Sequence, residues 1–117
     1  MKKRHRIAVF DEDDSVRELV RRWLVDAGHE VETHSSPTDI EQADLVIADV
    51  ASPRQAKPLL DDLAQTARGI AVLLISARFR TGQDGSLQLA VELGVDGVLP
   101  KPFTKRQLLA AVARALA

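Results

Sequence analysis

The chain has 117 residues, of which 45% are hydrophobic and 28% are charged, and its formal net charge is -1. This length predicts a single domain, and the hydrophobic content is too high for a disordered segment. A free-standing nucleic-acid-binding domain is usually strongly basic, so the charge argues against that class. Because there is no cysteine, disulfides, thiolate catalysis and cysteine-based zinc sites are excluded. No apolar run approaches the roughly 20 residues of a membrane span.

Five short runs of apolar or alternating residues predict β-strands. In chain order they cover residues 7–10, 30–34, 45–48, 70–75 and 97–100. The first, third and fourth runs are almost wholly apolar, which is typical of strands buried on both faces. The second alternates polar and apolar residues, which favours an edge strand.

Between and after these strands, apolar residues recur at the spacing of a helix face. Helices are predicted over residues 15–27, 58–67, 86–93 and 104–116, and residues 35–44 have room for a turn or two. Ser15 with Glu18, and Thr104 with Gln107, have the spacing of a capping box. Pro58 is expected in the first turn of its helix, where a missing N–H costs least.

Strands that alternate with helices predict an α/β fold with a parallel sheet covered on both faces. Right-handed crossovers make such a sheet doubly wound. We expect this single unit to take up residues 1–117, with no output domain in the chain. In doubly wound sheets, ligands bind beyond the carboxyl ends of the strands, so the residues that follow each strand are the informative ones.

Polar residues follow four of the predicted strands. Asp11, Glu12, Asp13 and Asp14 come after the first, and one of Asp13 and Asp14 is expected to cap the next helix. The others are Asp49, Ser76 and Lys101, after the third, fourth and fifth strands. Converging carboxylates repel one another unless a cation such as Mg²⁺ neutralises them. With a lysine and a hydroxyl nearby, this set suits phosphoryl transfer in which a carboxylate is the nucleophile.

These residues resemble the motifs of a receiver domain of a two-component response regulator. The matching positions are Asp11 and Glu12, Asp49, Pro53, Ser76 with Ala77, and Lys101 with Pro102 and Phe103. The resemblance covers essentially the whole chain. It implies a flavodoxin-like (βα)5 fold with a five-stranded parallel sheet in the order 2-1-3-4-5.

The resemblance also implies roles for individual residues. Asp49 is then the phosphoacceptor, and Ser76 and Lys101 contact the phosphoryl group. Asp11, Glu12, Asp49 and the carbonyl of Ala51 hold Mg²⁺, and the Lys101–Pro102 bond is cis. The chain would be a signalling switch rather than a metabolic enzyme, with intrinsic autophosphorylation and autodephosphorylation.

The partners implied by the resemblance are a sensor histidine kinase or a histidine phosphotransfer protein as phosphodonor, and a downstream protein target. A small acyl phosphate could also serve as donor. The same likeness implies a bacterial, cytoplasmic protein that is a monomer or weak dimer. Direct contact with nucleic acid or with a membrane is not expected.

The sequence departs from the family at the position three residues before Lys101. The family usually has Tyr or Phe there, as part of the route from Ser76 to the output surface, whereas this chain has Val98. A valine cannot swing inward as a ring does. We also hypothesise that Arg78 helps to retain the phosphoryl group, while the small side chain of Ala51 leaves a path for hydrolytic water.

The nearest alternative is a phosphatase of the haloacid-dehalogenase type, because the segment from Ile7 to Val16 resembles the first motif of that family. Asp11 would then be the nucleophile and Asp13 the general acid. The absence of an acidic pair after Lys101 and the short chain count against this alternative.

Two binding functions are also considered. A flavodoxin-like cofactor binder would suit the fold, but four acidic residues after the first strand would repel a phosphate. A pseudo-receiver that acts by docking alone would explain Val98, but not the complete set of polar residues.

Overall fold

The computed structural model describes residues 5–34, 43–51, 53–66, 69–77 and 89–117. Its five strands form one sheet in which every neighbouring pair is parallel. The strands are β1 (Arg6–Phe10), β2 (Glu30–His34), β3 (Leu45–Asp49), β4 (Ala71–Ser76) and β5 (Gly97–Pro100). Their order is β2-β1-β3-β4-β5, which confirms both the fold class and the strand order.

Helices connect or follow these strands. They are α1 (Asp14–Asp26), α2 (Pro53–Thr66) and α3 (Lys105–Ala115), and residues 89–93 are also helical. Most of the helix predicted over residues 35–44, and the start of the one predicted over 86–93, lie outside the described residues. None of the described helices is long and apolar enough to cross a membrane.

The cap of α1 differs in part from the prediction. Asp13 is the capping residue, and its Oδ1 accepts hydrogen bonds from the backbone N–H groups of Ser15 and Val16 at 2.9 and 3.2 Å. This confirms that one of the two aspartates caps the helix, but the capping box predicted at Ser15 is wrong. The carboxylate of Asp13, two positions before Ser15, satisfies the free amides and also interacts favourably with the helix dipole.

The start of α2 also differs from the prediction. The helix begins at Pro53, and Pro58 lies inside it rather than in its first turn. Pro53 takes the position where the fixed φ of proline fits the start of a helix. Pro58 has no N–H, so one hydrogen bond of α2 is missing, and this proline is exposed.

Alternate residues of each strand pack on opposite faces of the sheet. On one face Ile7 and Val9 of β1 join the buried residues of α1 and α3, including Leu24 and Leu108. On the other face Ala8 and Phe10 belong to a second cluster. That cluster also contains Val46, Ala48, Val50, Ala56, Leu74, Ala90 and Val98. Burial on both faces leaves the carboxyl ends of the strands as the place for polar chemistry.

A histidine pair lies at the opposite end of the sheet. The rings of His5 and His29 are 5.8 Å apart, and Nδ1 of His29 is buried with no hydrogen-bond partner among the described residues. Burial lowers the pKa of His29 below its ordinary value of 6.5, and the charge of His5 acts in the same direction.

Acidification is therefore expected to destabilise the fold through His29. Below pH 6.5 the unfolded chain binds a proton that folded His29 resists, so this histidine lowers the free energy of unfolding as the pH falls. The free energy of unfolding is measured with urea at about pH 7 and about pH 5. It should decrease less between these two pH values in His29→Gln than in the wild type. The control is His34→Gln, which removes a histidine but leaves the pair. If the free energy of unfolding decreases as much in His29→Gln as in the wild type, His29 is not the cause of the acid destabilisation.

Candidate functional site

One lysine links two carboxylates at the carboxyl edge of the sheet. Nζ of Lys101 lies 2.8 Å from Oδ2 of Asp11 and 2.8 Å from Oδ1 of Asp49. Parts of the chain that are up to 90 residues apart therefore meet at one nitrogen. The structure brings these three predicted site residues together.

The register of the sheet explains this convergence. Phe10 of β1 is paired with Ala48 of β3, so the next residues, Asp11 and Asp49, leave adjacent strands side by side. Ser76 of β4 is paired with Pro100 of β5. Directly after that pair, the backbone N–H of Lys101 donates to the carbonyl of Ser76 at 2.9 Å. Lys101 therefore enters the site from the end of β5.

The three side chains differ in exposure. That of Asp11 is 1% exposed, that of Lys101 is 17% exposed and that of Asp49 is 25% exposed. Asp11 therefore lies at the floor of the site, where Lys101 compensates its charge. Asp49 is the carboxylate that a molecule from solvent can reach.

The charge state of Lys101 follows from its surroundings. Burial by itself lowers its pKa, but the hydrogen bonds and charges of Asp11 and Asp49 outweigh burial, and the pKa lies above the usual 10.5. Lys101 is therefore an ammonium group at neutral pH. Two carboxylates and one ammonium leave the site with a net negative charge, which attracts a cation.

The residues after β1, 11 to 14, are here called the acidic loop. Oδ1 of Asp11 accepts a hydrogen bond from the backbone N–H of Asp13 at 2.9 Å. Nη1 of Arg17 donates to the backbone carbonyl of Asp11 at 2.6 Å, and Nη2 pairs with the carboxylate of Asp14. Sequence reasoning missed Arg17. The available signal was that Arg17 lies three residues after Asp14, in the first turn of the helix that follows the loop.

The other predicted metal ligands are less closely gathered. Glu12 and Ala51 are both exposed. Within the described ranges, no three His, Cys, Asp or Glu side chains lie close enough together to hold a metal ion. The acidic residues that the structure does gather are Asp11 and Asp49, and Mg²⁺ commonly uses one or two carboxylates and keeps several waters. These two carboxylates fit such an ion.

The remaining predicted residues are placed as follows. Ser76 is buried at the end of β4. The Lys101–Pro102 bond is cis. Val98 is buried in the core, where it is paired with Leu74 of β4. Arg78 lies outside the described residues.

Comparison with known proteins gives consistent results in sequence and in fold. The chain is 30% identical over 112 residues to the transcriptional regulatory protein GltR of Pseudomonas aeruginosa. That alignment covers 91% of this chain and 46% of GltR, so the chain spans about half the length of the curated relatives it matches. No family model matches the chain.

Two solved structures share the fold over nearly the whole chain. The chemotaxis response regulator CheY4 of Vibrio cholerae has a TM-score of 0.78 at 24% identity, covering 97% of this chain and 100% of CheY4. The BeF3-activated DrrB receiver domain has a TM-score of 0.74 at 27% identity, with coverages of 97% and 98%. The curated relatives are response regulators and the structures that share the fold are receiver domains, so sequence and fold both support a receiver domain of the two-component response-regulator type.

Proposed function

We propose that this domain is a phosphoacceptor switch in which Asp49 takes a phosphoryl group from a phosphohistidine of a sensor kinase or phosphotransfer protein. The observation that supports the proposal is the difference in exposure between Asp11 and Asp49, the two carboxylates that pair with Lys101. Asp11 is buried, with one oxygen on Lys101 and the other on the N–H of Asp13, whereas a quarter of the Asp49 side chain is exposed. Asp49 is therefore the available nucleophile.

The proposed step transfers the phosphoryl group from the imidazole of the donor to a carboxylate oxygen of Asp49. Oδ of Asp49 attacks the phosphorus, the P–N bond to the donor imidazole breaks, and an acyl phosphate forms on Asp49. The imidazole takes up a proton as it leaves. Hydrolysis of the acyl phosphate by water later returns the carboxylate and inorganic phosphate.

The residues around Asp49 would stabilise the transferred group. The Lys101 ammonium is within reach of an oxygen on Asp49, so it would neutralise a phosphoryl oxygen at the same place. The hydroxyl of Ser76, from the neighbouring strand end, would donate to another oxygen. Such positioning and neutralisation supply most of the catalysis in phosphoryl transfer.

We propose Mg²⁺ as the metal of this site, with Asp11 and Asp49 as its carboxylate ligands. Glu12 and the carbonyl of Ala51 complete the set that the resemblance implies. A bound Mg²⁺ would supply positive charge that offsets the repulsion between Asp49 and an incoming phosphoryl group. The support is the net negative charge of the site and the convergence of Asp11 and Asp49.

The phosphatase alternative fits this geometry poorly. It needs Asp11 as nucleophile, but the side chain of Asp11 is only 1% exposed and both its oxygens accept hydrogen bonds. It also needs Asp13 as general acid, whereas the carboxylate of Asp13 caps α1. Asp13 is therefore a helix cap, and Asp11 is less open to an incoming phosphoryl group than Asp49 is.

The proposed biological role is relay of a signal from the phosphodonor to a downstream protein. The surface that changes on phosphorylation would be set by the movement of Ser76 and Lys101 toward the phosphoryl group. Because Val98 is buried, this route would operate without the aromatic side chain that the family usually has.

Mapping the phosphoryl group tests the proposed function. The chain is incubated with Mg²⁺ and acetyl phosphate, and the product is examined by intact mass and by peptide mapping after borohydride reduction of the acyl phosphate. We expect one phosphoryl group, labile to hydroxylamine, on Asp49. A phosphoryl group on Asp11 would favour the phosphatase alternative, and no uptake from acetyl phosphate or a phosphohistidine donor would contradict both.

A further inference from the structure

The acidic loop is held by cations from two directions. Lys101 reaches the side chain of Asp11 from the sheet, and Arg17 reaches the backbone carbonyl of the same residue from α1. Arg17 is largely buried for an arginine on a helix surface, with its side chain 23% exposed. Its own backbone N–H donates to the carbonyl of Asp13, so α1 and the loop are joined through main chain and side chain alike.

Consecutive acidic residues in one loop repel each other, and a cation bound to the loop offsets that repulsion. A guanidinium offers several donors in a rigid plane, so one side chain can hold a carbonyl and a carboxylate together. Arg17 does this with Asp11 and Asp14. The bonds to a charged donor are stronger than those between neutral groups.

We propose that Arg17 is a positioning residue for the acidic loop, which it holds so that the carboxylate of Asp11 faces Asp49 and stays there when Lys101 turns toward a phosphoryl group. The consequence for metal binding rests on the function proposed above. The consequence for the loop itself does not, because the contacts of Arg17 are with residues of this chain.

The same helix supplies a matched control. Arg21 pairs with Glu18 at the same i,i+3 spacing as Arg17 with Asp14, but among the described residues its side chain bonds to Glu18 alone. Replacing either arginine by alanine removes one positive charge and one ion pair from α1. Only Arg17→Ala also removes the hydrogen bond to the backbone carbonyl of Asp11.

The loop is tested first, by amide hydrogen exchange of the full chain without metal. The reporter is the N–H of Asp13, which donates to Oδ1 of Asp11. We expect it to exchange about tenfold faster in Arg17→Ala, a factor that corresponds to about 1.4 kcal/mol, and at the wild-type rate in Arg21→Ala. Arg17→Lys, which keeps the charge without the planar fork, should lie between them.

Metal binding is tested second, by calorimetric titration of the same proteins with MgCl₂. Loss of positioning should raise the dissociation constant of Arg17→Ala about tenfold over that of Arg21→Ala. Phosphorylation of Arg17→Ala by acetyl phosphate should need more Mg²⁺ than that of Arg21→Ala to reach half its maximal rate. The rate at saturating Mg²⁺ should change little. A general loss of folding would instead lower that maximal rate.

Unchanged exchange at Asp13 in Arg17→Ala overturns the proposal, and so does Mg²⁺ binding as tight as that of Arg21→Ala. If the wild type binds no Mg²⁺, the metal site proposed above fails, and the exchange ratio alone decides the role of Arg17. If Arg17→Ala fails to fold, the same two measurements are made on two single variants, Arg17→Lys and Asp14→Asn.

Discussion

Replacing Asp49 by asparagine is expected to reduce phosphoryl uptake from acetyl phosphate to the background level. The amide lacks the anionic oxygen that attacks phosphorus, so no acyl phosphate can form at this position. Folding should survive, because the asparagine carbonyl can still accept a hydrogen bond from Lys101. The measurement is the fraction of phosphorylated protein by intact mass, with thermal unfolding followed in parallel.

The control for this variant is Asp61→Asn, which makes the same chemical change at an exposed position on α2. It should take up phosphate as the wild type does. Uptake by Asp49→Asn at the wild-type level would remove Asp49 from the mechanism. Loss of uptake in both variants would point to an effect of charge rather than of the nucleophile.

Replacing Lys101 by methionine is expected to lower the free energy of unfolding and to slow phosphoryl uptake. The change leaves the carboxylate of Asp11, which is 1% exposed, facing Asp49 without a counter-charge. Removing one partner of a buried ion pair costs about 3–5 kcal/mol, and we expect about 2 kcal/mol here because Asp49 is partly solvated. Urea unfolding at neutral pH measures the loss.

A double variant separates the effect of the missing positive charge on stability from the effect of the missing lysine packing. In Lys101→Met combined with Asp11→Asn, the buried charge is gone, and most of the stability should return. Added Mg²⁺ should stabilise Lys101→Met more than the wild type, since the cation replaces the missing ammonium. Lys105→Met, at an exposed position on α3, is the control and should change stability little. A double variant no more stable than Lys101→Met would refute the electrostatic explanation.

The strand ends were predictable because a polar residue marks the end of each apolar run. The apolar runs that became β1, β3, β4 and β5 are bounded by polar residues, and parallel strands must place their carboxyl ends on one edge. The capping box of α3 was predictable for a similar reason. Thr104 and Gln107 are three residues apart, and both of their reciprocal hydrogen bonds are present.

Helix starts with competing signals were not predictable. Ser15 has capping-box spacing, but Asp13 is also a capping residue and its carboxylate takes the free amides of α1. Pro53 and Pro58 each suit a first turn, and the prediction that placed Pro58 there is wrong. In both places two residues have similar preferences for the start of a helix, so residue type by itself does not decide between them.

The sequence by itself determined the class of this protein. Its strand and helix pattern predicts a doubly wound α/β fold with polar residues at one edge of the sheet, and the residues at that edge resemble the motifs of a receiver domain. Only the tertiary structure decided which carboxylate is buried and which is exposed, that Lys101 bridges them, and that Arg17 holds the loop. The physical reason is that burial and ion pairing depend on distances between strands and helices far apart in the chain, which residue spacing does not specify.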